Sequence, residues 1–458
     1  MSLDLADIQG NLLRGYRMPL ARYIHLNFGP AAAARAFLER LLPLVTTAQV
    51  WDGGKPQSAL NVALSRSALE ALELPRASIL SFPPEFLDGM AKRSLILGDV
   101  GPSDPDLWEP MWRGRVDVSL GINALSQEAL EEAFARVKTV AAQTGGATVL
   151  GCQEAAALIV DGKPCSKEHF GYSDGFAQPD FVGGQASDVP GDGKIVKGGG
   201  WAEIATGEFL LGHRSEADEN PPAPLPDILG KNGAFIVYRK LAQDVAAFRA
   251  YVAEQGARMS GGPEKLMAKM VGRWRDGTPL ALSPDAMDPA LVADRDRNND
   301  FTFGDDPEGL KCPVGAHIRR TNPRDSLGFE GRLASRRRLL RRGLPYGPYA
   351  PEGAPVDGAE RGIVFMAVAA SLSRQCEFVQ QQWVNYGNDF GLGEERDPLI
   401  GSRAAPGRFV VPGDVEKGVE PYVCAKLPNF VTLRGGDYFF APSLTALRLL
   451  AAGRIDPR

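Results

Sequence analysis

Residues 312–324 read Cys312-Pro-Val-Gly-Ala-His317-Ile-Arg319-Arg320-Thr-Asn-Pro-Arg324, and the fold assignment begins from this stretch. His317 is one of only four histidines in the chain, and three arginines follow it closely. Guanidinium groups pair with carboxylates through two parallel hydrogen bonds. The stretch therefore suits a cofactor that carries carboxylates, although a histidine held for structural reasons is the commoner case. Of the other histidines, His25 and His213 are expected to be structural or at the surface, and His169 to lie near a site.

Two further stretches contain residue types that a reactive site needs. Phe170-Gly-Tyr-Ser-Asp174-Gly175-Phe-Ala-Gln-Pro179 holds an aspartate on a glycine-rich turn, where the backbone can approach a ligand closely. Leu340-Arg341-Arg-Gly-Leu-Pro-Tyr-Gly347 is a dibasic turn. Taken singly, the first pattern also describes an ordinary Asx turn and the second a solvated loop.

The composition excludes several classes of protein. The chain is 44% hydrophobic and has a formal net charge of −5, so it lacks the basic excess that is typical of nucleic-acid binding. Its five cysteines form no CxxC pair, which predicts free thiols and no covalent attachment of c-type haem. The sequence shows neither a signal peptide nor a long apolar run, so we expect a soluble cytoplasmic protein with no membrane partner.

Strand and helix patterns alternate through both halves of the chain, which favours an α+β or α/β sandwich. In the first half we predict strands at 22–28, 59–64, 116–122 and 147–157, and helices at 31–45, 67–74 and 126–143. In the second half we predict strands at 233–238 and 362–369, a glycine-broken hairpin at 430–440, and helices at 242–254, 371–383 and 443–452.

The ordered set of motifs resembles the dye-decolourising peroxidase family. GxxDG at 171–175, AHIRRxNPR at 316–324 and RRGxPYG at 341–347 follow one another as in that family. The segments 4–15, 362–366, 378–383 and 397–401 resemble its long bacterial and fungal members, so the similarity spans nearly the whole chain. It implies an α+β fold of two ferredoxin-like halves, each an antiparallel sheet with packed helices, at 1–165 and 166–458. Haem is then expected in the C-terminal half.

The resemblance also implies a role for each matching position. His317 is expected to be the proximal iron ligand, Asp174 the distal acid and base, and Arg341 the distal arginine. Asp397 is expected to accept the Nδ1–H of His317, with Glu377 as the alternative. The remaining positions contact the haem: its face at Gly175, Phe176 and Ala177, its edge and propionates at Asn322, Pro323 and Arg324, and the apolar distal side at Ile363 and Phe365.

The implied activity is that of a peroxidase with non-covalent haem b. It would reduce hydrogen peroxide through a ferryl intermediate and oxidise bulky aromatic dyes or phenols, as a monomer or homodimer. A carboxylate on the far nitrogen of His317 gives the ring imidazolate character, which favours this chemistry over dioxygen binding. Asp174 can shuttle the peroxide proton, and Arg341 offers a fixed positive charge.

Bulky dyes would need an electron path from a surface side chain to the haem. The candidates are the tryptophans and two of the tyrosines: Trp51, Trp108, Trp112, Trp201, Trp274, Trp383, Tyr346 and Tyr438. Most of them are expected to serve core or interface packing instead, and the sequence does not choose among them. Residues 294–305 partly match a calcium loop but lack its glycine and final glutamate, so an acidic surface loop is expected.

Two other functions fit the same residues. A haem-storage or haem-delivery protein would use the same ligand set without turnover. A haem-free α+β protein is what remains if the resemblance is set aside.

Overall fold

The computed structural model describes residues 3–185, 187–355 and 357–455, and nine strands within these ranges form one central sheet. Six other short strands form three two-stranded ribbons in the same ranges. In chain order the strands are β1 (Leu20–Phe28), β2 (Ser58–Leu64), β3 (Val118–Ala124), β4 (Ala147–Ala156), β5 (Ile159–Val160), β6 (Lys163–Pro164), β7 (Lys194–Ile195), β8 (Trp201–Ala202), β9 (Ala234–Gln243), β10 (Leu340–Arg341), β11 (Leu344–Tyr346), β12 (Gly362–Ala369), β13 (Gly407–Val411), β14 (Tyr422–Leu427) and β15 (Val431–Ala441).

The order of the strands repeats one arrangement twice. In the first half the neighbours are β2, β3, β1 and β4, and in the second half they are β10, β12, β9 and β15, with β11 also paired to β12. Each half thus places its own strands in the order second, third, first, fourth, and the pairs are antiparallel. This confirms the α+β fold with two ferredoxin-like halves. The halves share one sheet because Phe440 of β15 pairs with Leu64 of β2.

Helices cover the sheet and close its hydrophobic core. α7 begins after Ser126, whose hydroxyl accepts a hydrogen bond from the backbone N–H of Ala129 at 3.2 Å, and it ends at Gly145 in the left-handed conformation. The α-helices are α1 (Gly10–Leu13), α2 (Ala31–Leu41), α3 (Arg66–Ala71), α4 (Arg76–Leu80), α5 (Pro84–Asp88), α6 (Ser94–Leu97), α7 (Gln127–Thr144), α8 (Asp227–Gly230), α9 (Val245–Gly256), α10 (Gly262–Val271), α11 (Pro289–Ala293), α12 (His317–Thr321), α13 (Arg332–Ser335) and α14 (Leu444–Ala451).

The predicted hairpin at 430–440 is wrong, because β15 is one continuous strand with a bulge between Leu433 and Gly435. A Cβ on Gly435 would lie 2.0 Å from Cδ1 of Trp112, and the φ of Gly435 is +151°. Glycine is therefore required where the indole lies against the strand. The glycine pair that indicates a turn in the sequence forms a bulge in the sheet.

The helix predicted at 371–383 is present but is wound as two π-helical segments, Leu372–Glu377 and Val379–Val384. π-Helical turns are rare and occur frequently at functional sites. Three residues of the second segment, Val379, Gln380 and Val384, line a cavity in the second half of the chain.

The two faces of β9 have different surroundings. Arg239, Leu241 and Gln243 line this cavity, whereas Tyr238, the residue before Arg239, contacts side chains of the first half. Successive residues of a strand point to opposite faces, so β9 separates the cavity from a second interior region. Tyr238 packs against Tyr23 of β1, a strand four places away in the sheet. This contact shows that the sheet curls.

The N-terminal segment ties the two ends of the chain together. The fully buried Gln9 donates from its amide to the carbonyls of Val62 and Pro442 at 2.8 and 3.0 Å. Asp7 accepts a hydrogen bond from the backbone N–H of Thr445 at 2.8 Å, in the first turn of α14. The first residues thus pack beside the last helix.

No helix in the described part of the chain combines the length and apolar character needed to cross a membrane. All five cysteines carry free thiols, as the sequence predicted.

Candidate active site

A cavity of about 360 Å³ lies in the C-terminal half of the molecule, the half in which haem is expected. It is bounded by β9, β12 and β15 of the sheet, by α12, and by the loop that carries Asp174. Most of its lining is apolar, and a few polar groups converge on it, which is the usual character of a cofactor site. His317, Asp174 and Arg341 all line this cavity, so the three motifs are brought together in space.

His317 begins α12, which packs against the end of α10. Gly272 ends α10, and a Cβ there would lie 2.5 Å from Ile318, so the two helices touch at this glycine. Nδ1 of His317 is 2.8 Å from Oδ2 of Asp397. That bond leaves Nε2 as the ring nitrogen available to a ligand in the cavity.

Asp397 is fully buried and is held by its own backbone neighbours. Its Oδ1 accepts hydrogen bonds from the N–H groups of Leu399 and Ile400, both at 2.9 Å. Burial by itself would raise the pKa of Asp397, but His317 and these hydrogen bonds hold that pKa below its ordinary value. Burial likewise disfavours the charged form of His317, yet the Asp397 carboxylate raises the pKa of the ring.

Glu377, the alternative partner of His317, lies elsewhere. Its carboxylate forms two bonds with Arg93, at 2.5 and 2.7 Å, and accepts the hydroxyl of Tyr438 at 3.0 Å. Of the two carboxylates considered, only Asp397 contacts the imidazole.

The side chains of Asp174 and Arg341, the two expected distal residues, lie close together. Nη2 of Arg341 is 3.6 Å from Oδ1 of Asp174 and also donates to the carbonyl of Phe176 at 2.8 Å. Oδ1 of Asp174 accepts the N–H of Gly175 at 2.6 Å. Gly175 has a φ of +96° and Ala177 a φ of +55°, so this loop is held in a conformation that side chains resist.

The remaining predicted residues are placed in two groups. Phe176, Ala177, Asn322, Arg324, Ile363 and Phe365 line the cavity. The cavity lining does not include Gly175, Pro323 or Asp397, which lie beside residues that line it.

Two of the three arginines that follow His317 are engaged inside the protein rather than at the cavity. Arg319 pairs with Asp306 at 3.2 Å, and Arg320 donates to the carbonyls of Trp383 and Glu395, both at 2.8 Å. Both side chains are buried in the protein and serve its internal structure. Arg324 alone of the three reaches the cavity.

Two arginines that the sequence did not single out join Arg324 there. Arg273, Arg324 and Arg338 are each at most 7% exposed, and within the described residues none of them forms an ion pair with a carboxylate. Burial lowers the pKa of Arg273 and of Arg338 to about 10. The Asp192 carboxylate acts through space on all three without pairing with any of them. Positive charge remains in excess, and buried cations are costly, so this group fits a ligand with carboxylates.

The segment 294–305 supports these arginines and is only partly at the surface. Asn298 and Asn299 are buried, and their side-chain oxygens accept from Arg273 at 2.8 and 3.0 Å. Asp305, the last residue of the calcium-like pattern, pairs with Lys311 at 2.6 Å. Over the described ranges no group of three or more His, Cys, Asp and Glu side chains could hold a metal ion. The segment differs from the expected surface loop in its two buried asparagines.

Known proteins resemble this chain over nearly its full length. Peroxidase 2 of Mycetinis scorodonius is 30% identical over 476 residues, which cover 98% of this chain and 88% of that protein. The multifunctional dye peroxidase DyP2 of an Amycolatopsis species is 31% identical, covering 97% of this chain and 96% of that protein. The chain belongs to the dye-decolorizing peroxidase family. It is therefore a peroxidase, a hydrogen-peroxide-dependent oxidoreductase.

Solved structures agree with this family. The crystal structure of a fungal DyP-type peroxidase from Auricularia auricula-judae superposes with a TM-score of 0.83, at 28% identity over 98% of this chain and the whole of that one. A dye-decolorizing peroxidase in complex with 2,6-dimethoxyphenol superposes with a TM-score of 0.81, at 27% identity over 98% of this chain and 100% of that one. No protein-family model matches the chain.

Burial removes most of the surface electron-transfer candidates of the peroxidase. The side chains of six candidates are at most 6% exposed and are packed in the interior, as was expected for most of the set: Trp108, Trp112, Trp274, Trp383, Tyr346 and Tyr438. Trp51 and Trp201 are partly exposed. Trp201 also contacts the cavity lining, because the guanidinium of Arg324 lies 5.2 Å from its ring centre.

Proposed function

We propose that this peroxidase binds haem b without a covalent link in the described cavity, with Nε2 of His317 on the iron. The observation that carries the proposal is the imidazole itself, which lines the cavity while Asp397 occupies its other nitrogen. A metal-bound histidine usually donates its second N–H to such a carboxylate, which fixes the ring and raises its basicity. Haem, when bound, supplies the redox-active iron at which peroxide is reduced.

The residues around the cavity suit haem b in charge and in shape. Arg273, Arg324 and Arg338 offer buried positive charge to its two propionates, with Asn322 and Pro323 beside them. Phe176, Ala177, Ile363 and Phe365 give the apolar lining that a porphyrin face requires, and Gly175 sets the loop that carries the first two.

Asp174 and Arg341 handle the peroxide. Asp174 takes a proton from one oxygen of hydrogen peroxide and returns it to the other, which makes water the leaving group. Arg341 stabilises the negative charge that develops during this transfer. The 3.6 Å separation of the two side chains lets both reach one small ligand.

Phenols and dyes are the proposed reducing substrates. A related peroxidase has been solved with 2,6-dimethoxyphenol, and the relatives named above include dye peroxidases. We assign the oxidation of dyes too large for the cavity to the surface of Trp201, which contacts Arg324 on the inner side. Five free thiols suit a cytoplasmic, reducing compartment.

The decisive experiment compares absorption spectra of the wild type and His317→Ala after expression with added haem. We expect a Soret band that responds to hydrogen peroxide in the wild type, and loss of the normal ligated spectrum in the variant. A pyridine haemochrome assay identifies the haem as type b. An unchanged five-coordinate spectrum in His317→Ala would contradict the assignment.

Turnover separates an enzyme from a haem store or carrier. We expect the wild type to oxidise a phenol repeatedly for each haem. Stoichiometric haem binding with a single turnover would instead support storage or delivery. The relatives named above are peroxidases, which favours catalysis.

A further inference from the structure

A buried carboxylate, Asp192, lies behind the arginines of the proposed haem site. Its side chain is buried and does not line the cavity. Oδ1 of Asp192 accepts a hydrogen bond from Nδ2 of Asn299 at 2.9 Å, and Oδ2 accepts one from the hydroxyl of Ser187 at 2.8 Å. Because both oxygens accept, the arrangement is that of an ionised carboxylate.

Asn299 links Asp192 to two of the arginines. Oδ1 of Asn299 accepts from Nη2 of Arg273 at 3.0 Å and from Nη2 of Arg324 at 2.6 Å. A guanidinium can only donate, so the atom of Asn299 that faces both arginines is the oxygen, and the amide nitrogen faces Asp192. The amide thus turns its oxygen towards two cations and its N–H towards one anion.

The loop that carries Asp192 also holds the third arginine. Arg338 donates to the carbonyl of Gly193, the next residue along the chain, at 3.4 Å and to that of Ala177 at 2.9 Å. Burial lowers the pKa of Arg338 to about 10, and the Asp192 carboxylate opposes that shift. We call the three residues held in this way the buried arginines: Arg273, Arg324 and Arg338.

The backbone on both sides of Asp192 is packed too closely to accept side chains. A Cβ on Gly191 would lie 1.8 Å from the carbonyl oxygen of Asn299, and one on Gly193 would lie 2.2 Å from the carbonyl oxygen of Ala202. Glycine permits such an approach of one backbone to another. The position of Asp192 relative to the buried arginines is therefore fixed by the fold.

The charges of this group do not balance within the protein. The buried arginines contribute three positive charges and Asp192 one negative charge, which leaves two positive charges. Asp325, which also acts on one of these arginines, is partly exposed and so is screened by water. The neighbouring Arg341 is offset by Asp174, 3.6 Å away. Haem b carries two propionates, the number that neutralises the excess.

We propose that Asp192 sets the charge of the haem-propionate site, so that one haem neutralises the buried arginines. This inference rests on the proposed function, because haem b supplies the two carboxylates. Asp192 acts through Asn299 and through space rather than by touching a ligand, so it is a positioning residue. In the apoprotein the same carboxylate reduces repulsion among the buried arginines, which allows the site to fold before haem arrives.

Removal of this one negative charge should strengthen haem binding. In Asp192→Asn three positive charges face two propionates, so the attraction increases. The iron then lies near an uncompensated positive charge, which favours the ferrous state and raises the reduction potential. A role in folding alone predicts the opposite of both effects, because a loosened site releases haem faster and admits water, which stabilises ferric iron.

Asp192→Asn removes the charge and keeps the shape of the side chain. The new amide oxygen can still accept from Asn299, and the new N–H can donate to the hydroxyl of Ser187, which accepts as well as donates. Asp188→Asn is the matched control, because this carboxylate belongs to the same loop but is exposed to water. The double variant Asp192→Asn/Arg338→Gln restores an excess of two positive charges.

Transfer of haem from the holoenzyme to excess apomyoglobin measures its release, and potentiometric titration measures the reduction potential. We expect Asp192→Asn to release haem severalfold more slowly than the wild type and to have a higher potential. Asp188→Asn should match the wild type in both measurements. The double variant should return both values towards those of the wild type.

Faster release of haem from Asp192→Asn, or a potential that is unchanged or lower, overturns the inference alone. If Asp192→Asn does not fold, the double variant decides. A double variant that folds and binds haem supports control by charge, whereas a second failure shows a structural role for Asp192 and overturns the inference. A wild type that takes up no haem contradicts the proposed function and the inference together.

Discussion

In the proposed haem site, the hydrogen bond between His317 and Asp397 sets how strongly the ring donates to iron. Asp397 is fixed by two backbone N–H groups, and its charge is preserved by the imidazole it contacts. A carboxylate so placed increases electron donation from Nε2 to a metal, which stabilises high oxidation states. The strength of this one bond should therefore appear in the redox properties of the haem.

Replacing Asp397 by Asn should weaken that donation. We expect the reduction potential of the haem iron to rise and the rate of reaction with peroxide to fall by about 10–100-fold. Potentiometric titration and stopped-flow mixing measure the two effects. Glu377→Gln is the control, since this carboxylate contacts Arg93 and Tyr438 instead. Equal potentials in wild type and Asp397→Asn would refute the assignment.

Arg341 and Asp174 should contribute unequally to the rate of reaction with peroxide. Arg341 lines the cavity and also donates to the carbonyl of Phe176, whereas the Asp174 side chain is 61% exposed and accepts a hydrogen bond only from its neighbour Gly175. We expect Arg341→Leu to slow the reaction with peroxide by ~10²–10³ and Asp174→Asn to slow it less. Stopped-flow absorbance at the Soret band gives both rates. The reverse order would show that proton transfer limits the reaction.

His25 should make the fold sensitive to acid. Burial lowers its pKa from 6.5 to about 3, so below pH 6.5 the unfolded chain binds a proton that the folded chain does not. Stability contributed by the neutral ring is complete above pH 6.5 and declines as the pH falls towards 3. Between pH 6.5 and 4.5 the loss is about 2 kcal/mol. Urea unfolding of wild type and His25→Phe should differ by this slope, and parallel curves would contradict it.

At the scale of elements, the bulge in β15 is a structural requirement. Gly435→Ala would push against Trp112 and force a side chain into a backbone conformation that favours glycine. We expect a loss of about 1–3 kcal/mol in the free energy of unfolding. Gly54→Ala is the comparison, because its φ is +90° but no atom lies within 4 Å. Similar losses for both variants would mean that strain alone, without the clash, explains the effect.

Elements were predictable where the pattern of apolar residues was regular. α7 and α14 lie close to their expected positions because their apolar spacing and capping serines are local signals. The 430–440 hairpin was wrong, since Gly435 and Gly436 mark a bulge whose partner, Trp112, is distant in sequence. A contact between residues so far apart in the chain leaves no signal in the sequence near either of them.

The same limit applies to charged residues. Arg319 and Arg273 are both buried arginines, and nothing nearby in the sequence shows that one meets Asp306 while the other faces a cavity. The run of arginines at 336–338 was the only signal that could have drawn attention to Arg338. The family resemblance identified His317, Asp174 and Arg341 as candidate site residues. The group of buried arginines at the cavity could be found only from the structure.

At the scale of the whole molecule, the size of the reducing substrate should decide whether its electron enters through a surface side chain or inside the cavity. Trp201→Phe should slow oxidation of bulky dyes severalfold while small phenols that enter the cavity react as before. The reason is that Trp201 contacts both solvent and Arg324. Trp51→Phe is the control, as that indole packs on Tyr16 and Arg14 instead. Steady-state rates with one dye and one phenol decide the matter, and equal losses for both substrates would contradict the route.

The contacts of Gln9 and Asp7 have a consequence for biosynthesis. These residues leave the ribosome long before their partners Pro442 and Thr445. The N-terminal segment must therefore wait, without its final contacts, while more than 400 residues are added. Closure over such a sequence distance is slow. Translation speed and chaperones, rather than local propensity, should then govern how much of this protein reaches its native state.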